Sequence, residues 1–154
     1  MQTSGEIRVD VDRAAAFAFV EKPEQLAQCI PGCTDLQEIG PNRYSAKLTN
    51  SVSFVKLSFK VVVEITKIEP PDAIDATITG EAMGVVGRLS ATAGVRLADT
   101  GPTSTLVTYT VDLGLTGKLG GLGQSVFRAK SEELGRQFGI NLKNAIERGA
   151  EVRA

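Results

Sequence analysis

Residues Phe54–Ile68 read FVKLSFKVVVEITKI, and their alternation decides the fold class. Leu57, Phe59, Val61, Val63 and Ile65 fall on one side of an extended chain, with Lys56, Ser58, Lys60, Glu64 and Thr66 on the other. A period of two that separates apolar from polar side chains marks a strand with one face on a core and one in water. The same period runs outward from this stretch. Upstream, Asp35–Ile39 and Arg43–Asn50 read as strands around the turn Gly40–Pro41–Asn42. Downstream come Ala73–Glu81, Arg88–Ala98 and Ser104–Thr116, punctuated by Pro70–Pro71–Asp72 and the hairpin loop Asp99–Pro102. Ser4–Val11 alternates as well, placing Ile7, Val9 and Val11 on one face.

Three segments break the period. Asp12 is placed to cap a short helix through Val20 by accepting from its free amides. Lys22–Ile30 reads as a second short helix, with Pro23 in its first turn, Glu24 complementing its dipole and Pro31–Gly32 stopping it. From Gly120 the period becomes 3.6, with Leu122, Val126, Leu134, Phe138, Leu142 and Ile146 on one stripe. Glu132 and Arg136 are spaced for an ion pair, and Gly149 reads as the stop after Arg148. This helix is expected to span about 40 Å. The order predicts one α+β domain over residues 1–154. In it, a curved antiparallel sheet of about six to seven strands surrounds a long C-terminal helix, with two short helices after strand 1.

Composition excludes several function classes. The chain is 42% hydrophobic and 23% charged, the balance of a folded domain. Seventeen basic and 18 acidic residues give a net charge of −1, and the basic ones are scattered. A nucleic-acid partner would need a concentrated positive face, so none is expected. Met1–Asp10 has no signal-peptide pattern, and the apolar run Ala14–Val20 is too short to span a bilayer, so a cytoplasmic location is expected. There is no histidine, which removes the commonest general base. Cys29 and Cys33 have neither zinc-site partners nor redox spacing, and read as one buried and one partly exposed thiol. Gly117–Lys118 fails as a phosphate loop, because Asp112 and Leu119 stand where Gly and Ser or Thr are needed. No catalytic residue and no metal ligand is assigned.

The alternation gives the inward face: Tyr44, Ala46, Leu48, Phe59, Val61, Ala76, Ile78, Gly80, Ala91, Ala93, Thr105, Val107, Tyr109 and Val111. Five of these are Ala or Gly, and the chain has no Trp. A solid core needs bulk at such positions, so the pattern points to a hollow between sheet and helix. Gly135 and Gly139 suggest a small-residue groove on the helix that adds to this hollow, with close approach of helix to sheet as the alternative. No charged residue appears on the inward face, which leaves the hydroxyls of Tyr44, Thr105 and Tyr109 as polar anchors. Two apolar tips, Val52–Val55 and Met83–Gly87, either gate the hollow, meet a membrane or partner, or fold back into the core.

The chain resembles the CoxG family, the G subunit of carbon monoxide dehydrogenase, within the START and birch-allergen-like helix-grip (SRPBCC) superfamily. The matching pieces are Pro23–Ala27 (PEQLA) leading into Ile30–Cys33 (IPGC), then Gly80, Gly84 and Gly87, and Tyr109 through Gly117–Gly120 (GKLG) before the last helix. The resemblance implies a helix-grip fold with a hydrophobic cavity. It also implies an accessory role beside carbon monoxide dehydrogenase or a related molybdenum hydroxylase, with membrane recruitment and the handling of a quinone. Longer members carry a membrane anchor; this chain ends at Ala154, which favours a soluble carrier or a partner-binding subunit, with peripheral, transient contact at the inner face of the membrane left open.

Together, pattern and resemblance lead to a non-catalytic protein whose cavity binds menaquinone, another quinone or a lipid. The expected lining is Leu48, Phe59, Val61, Ile78, Ala91, Tyr109, Val126 and Phe138. Two alternatives stay open: a helix-grip cyclase or hydrolase, and a cavity-free assembly factor for a molybdenum enzyme.

Overall fold

The computed structural model describes residues 2–52, 55–84, 87–117 and 124–153. Among the described residues there are seven strands: β1 (Gln2–Val9), β2 (Cys33–Gly40), β3 (Arg43–Val52), β4 (Val55–Glu69), β5 (Ala73–Ala82), β6 (Gly87–Gly101) and β7 (Ser104–Gly117). Two short helices, α1 (Arg13–Val20) and α2 (Pro23–Gln28), follow β1, and α3 (Gln124–Arg153) closes the chain. All strands pair antiparallel in one sheet of order β1-β7-β6-β5-β4-β3-β2. Consecutive strands are neighbours except that β1 joins the far edge beside β7, so the sheet curls and presents one concave face to α3.

The register bears out the inward assignments. Across the sheet, Tyr44 faces Val63, Val63 faces Ile78, Ile78 faces Ala91 and Ala91 faces Leu113. Directly opposed residues share a face, so this row is continuous. α3 lies mainly along β1. Its stripe is anchored at the C-terminal half, where Leu142 and Ile146 are buried.

Several local expectations are corrected. Asp12 occupies the N-cap of α1 but makes no side-chain capping bond. α2 ends at Gln28 with Cys29 as its cap, so Ile30 lies outside the helix and is exposed. α3 runs through Gly149 to Arg153. Gly149 does not adopt the left-handed conformation of a helix stop and continues the helix. Lys130–Glu133 and Lys143–Glu147 are the ion pairs seen within α3 among the described residues, in place of Glu132–Arg136. Residues 118–123, Leu122 among them, and the centres of the two apolar tips lie outside the described residues. At the tips' described ends, Val52 is buried and Met83 is 49% exposed.

Candidate functional site

Two apolar clusters fill the concave side. The first joins α1, α2 and the C-terminal half of α3 to the sheet through Phe17, Val20, Val107, Leu142 and Ile146. The second, around Ala46, Leu57, Phe59, Val61, Leu89, Ala91 and Phe127, sits under the N-terminal half of α3. Inward side chains near the second cluster are not closed off. Tyr44, Val63, Ile78, Val111 and Leu113 all point toward the helix side, yet each is only half-buried. Ile78, Val111 and Leu113 pack against the second cluster yet keep part of their surface accessible, so the inner face is not completely covered.

Beside this strip lies an apolar cavity of about 90 Å³. Leu48, Leu57, Phe59, Leu89, Leu113 and Leu115 form its sheet wall, and Phe127 and Leu134 its helix wall. Asn50, Lys130 and Ser131 are the polar residues on its lining. The Asn50 amide donates to the Pro31 carbonyl at 3.1 Å, which holds the start of β2 against β3. A larger concavity of about 840 Å³ lies on the other side of the sheet. It is lined by the outward Ser45, Lys47, Lys60, Thr79, Glu81 and Ser90. Ala46, Val61, Val62, Met83 and Leu89 share that lining with the polar side chains, whereas the smaller cavity is the one bounded by both the sheet and α3.

The expected lining is divided. Leu48 and Phe59 reach the cavity directly. Val61 and Ala91 are buried in the wall behind it, and Ile78 and Val126 pack on that same cluster. Tyr109 and Phe138 belong to the first cluster, where their rings meet edge to face at 5.2 Å.

The polar anchors are also corrected. The Thr105 hydroxyl is fully buried and donates to the Val11 carbonyl at 2.8 Å. The Tyr109 hydroxyl donates to the Gly135 carbonyl at 3.0 Å. Both are used up fastening elements together. The glycines explain why the tyrosine fits: a Cβ at Gly5 would lie 2.5 Å from its oxygen, and one at Gly139 would collide with it. Gly139 thus receives Tyr109, and a Cβ at Gly135 would press on the Thr3 methyl at 3.3 Å, so the close-approach explanation holds there. Gly80 likewise makes room for Val61, whose Cγ1 would lie 2.8 Å from an added Cβ.

Tyr44 stands apart at the open end of the strip. A register shift in β2, with Asp35 at φ 57°, places Glu38 opposite Tyr44 and on its face. Partial burial and then the charges of Glu38 and Glu24 raise the Tyr44 pKa. An acid therefore does reach the inner face, at an exposed position. Among the described residues no cluster of His, Cys, Asp and Glu is placed to hold a metal.

Comparison with known proteins identifies the family. The family model for the carbon monoxide dehydrogenase G subunit (CoxG) matches residues 5–147. The chain belongs to the CoxG family. Solved structures agree on the fold of this CoxG-family chain. A conserved protein from Geobacillus kaustophilus superposes with a TM-score of 0.85 at 25% identity, over 96% of both chains. The Zhui aromatase/cyclase from Streptomyces sp. R1128 superposes with a TM-score of 0.65 at 14% identity, over 99% of this chain and 94% of that one. A START superfamily protein from Mycobacterium smegmatis gives 0.64 at 12% identity over 99% of both. These last two establish the helix-grip, START-like fold alone. A search of curated proteins found no match. Among the described residues, no helix is long and apolar enough to cross a membrane.

Proposed function

We propose that this CoxG-family chain is a non-catalytic binding protein that holds an apolar small molecule between its sheet and α3. The molecule is menaquinone, another quinone or a lipid, and the chain serves a carbon monoxide dehydrogenase or related molybdenum hydroxylase. The observation that carries this reading is the leucine-lined cavity continuing into a strip of half-exposed inward side chains. The 90 Å³ void alone would hold about three water-sized groups. The rest of a ligand would cover Leu113, Val111, Ile78 and Val63, whose open surface supplies roughly 25 cal/mol for each Å² removed from water. The contact with a membrane belongs to the same proposal, through the tip that begins at the exposed Met83.

Solvent extraction of the purified protein followed by mass spectrometry should recover a quinone or lipid, and added menaquinone should bind. Recovery of no such molecule together with no binding of menaquinone, ubiquinone or phospholipid would exclude the carrier reading. Co-purification with a molybdenum hydroxylase in that circumstance would favour the assembly factor.

A further inference from the structure

We infer that Asn50 and Ser131 hold the uncharged, oxygen-bearing head of the ligand, and that this pair binds the reduced quinol form of a quinone more tightly than the oxidised form. This rests on the binding reading above and adds the redox state that the same hollow favours. Three observations carry it.

The first is where the two residues stand. Asn50 is paired directly with Leu57 across β3 and β4. Directly opposed residues share a face, so the amide lies on the same side of the sheet as the buried Leu57, and both line the cavity. On α3, Phe127, Ser131, Leu134 and Phe138 follow one another at steps of four, three and four, which keeps them on one helix face. Phe127 is buried and lines the cavity together with Leu134, so Ser131 stands in the stripe turned to the sheet. The two polar groups meet the hollow from opposite walls. A stripe built only for packing would carry apolar residues at both places.

The second is unused hydrogen-bonding capacity. The Asn50 amide nitrogen donates to the Pro31 carbonyl at 3.1 Å. A carbonyl can only accept, so this bond fixes which way the amide is turned and leaves its Oδ1 for another donor. The turn at Gly32, with φ 81°, closes over the amide, and a Cβ there would lie 2.9 Å from Nδ2. Among the described residues, Gln25 Oε1 is the fully buried side-chain oxygen that lacks a partner, so the Asn50 Oδ1 and the half-buried Ser131 hydroxyl keep open surface. Helical serines often bond to the carbonyl one turn back. Ser131 makes no such bond. Lys130, the remaining polar residue of the lining, already has Glu133 as its partner.

The third is the chemical match. The Ser131 hydroxyl can donate to a ligand oxygen in either redox form. The Asn50 Oδ1 only accepts, so it needs a hydroxyl. A quinol supplies one. A quinone carbonyl supplies none and sets two acceptors against each other. A site that accepts from a ligand hydroxyl discriminates against the analogue lacking it, because its own acceptor is left unpaired.

The test uses a short-chain menaquinone, its two-electron-reduced quinol and the dimethyl ether of that quinol, titrated calorimetrically into the purified full chain without oxygen. The three share ring and tail, and the quinol alone carries hydroxyls. The quinol should bind about fivefold or more tightly than either of the others, the range of one net hydrogen bond. Asn50→Leu should erase that preference. Ser131→Ala should weaken quinol and quinone by a similar factor and keep the preference. The comparison of the three ligands on the unaltered chain needs no variant, so it decides the matter even where Asn50→Leu does not fold. Equal binding of quinol and quinone, or a preference that survives Asn50→Leu, would overturn the inference and leave the carrier reading standing. Failure of all three to bind would overturn the inference and the quinone form of the carrier reading together, and leave a lipid carrier.

Discussion

The hydroxyl of Tyr109 occupies the volume that a side chain at Gly139 would need. One residue's polar tip is thus fitted to another's missing Cβ, and the contact sets how closely α3 approaches β7. Gly139→Ala should destabilise the fold by about 1–3 kcal/mol through overpacking. Tyr109→Phe alone should cost about 1 kcal/mol for the lost bond to Gly135. The double variant should be less destabilised than the sum of the two, because the clashing oxygen is gone. Urea denaturation of the four proteins measures this coupling, and strict additivity would refute it.

Thr105 ties β7 to the chain just after β1 through its bond to the Val11 carbonyl. Thr105→Val keeps the shape but strands a buried carbonyl, which should cost about 1–3 kcal/mol. Thr105→Ser, which keeps the hydroxyl, should lose less. Equal midpoints for the Val and Ser variants in thermal unfolding would contradict this account.

Burial pushes the Cys29 thiol up to about 11 and raises Cys33 in the same direction. Burial also raises Tyr109. Each group holds its proton more firmly when folded than when unfolded. Their contribution to stability is therefore complete below the ordinary thiol value of 9.0 and is lost as pH rises through the folded values. Stability should fall between pH 9 and about pH 11. At neutral pH both thiols should react with maleimide more slowly than a free thiol, Cys33 before the buried Cys29. Denaturant should abolish the difference.

Filling the cavity separates ligand binding from folding. Leu115 is half-buried on the cavity wall, so the extra atoms of Leu115→Phe would enter existing space. Its stability change should stay within about 1.5 kcal/mol, while menaquinone or lipid binding is lost. Ala91→Trp is the contrasting case: Ala91 is only 6% exposed, so the indole meets packed side chains and should cost about 3 kcal/mol or more. Retained binding in a stable Leu115→Phe protein would move the site elsewhere.

Most of the architecture is legible because a strict period of two leaves little freedom. Once Phe59 and Val61 are inward, the pairing carries the phase across Leu48, Gly80 and Leu89. What stays hidden depends on partners distant in sequence. A glycine does not say whether its space is empty or filled, and Tyr109 fills Gly5 and Gly139 from another strand. The shift that turns Glu38 inward arises from the positive φ of Asp35, a residue that favours no such conformation strongly enough to be read in advance. Phe127, more deeply buried than Val126, falls just off the apolar stripe and escapes the periodicity for that reason. Asn50 and Ser131 leave no signal of their own, because a lone polar residue at a strand end or on a helix ordinarily reads as a solvent-facing one.

The last helix is fastened unevenly. Toward its C-terminus, Asn141 donates to the Cys29 carbonyl, Lys143 to that of Arg8, and Glu147 accepts from the Asp10 amide. Toward its N-terminus, Phe127 is the buried anchor among the described side chains and the cavity lies beneath. A rod clamped at one end and resting on a void at the other behaves as a lever. Under the proposed carrier function, a small swing of the N-terminal half of α3 would admit the ligand with the C-terminal half undisturbed and without melting the sheet. Amide exchange along α3 would then be graded, slow near Leu142 and faster toward Phe127, and cargo would slow the faster end alone.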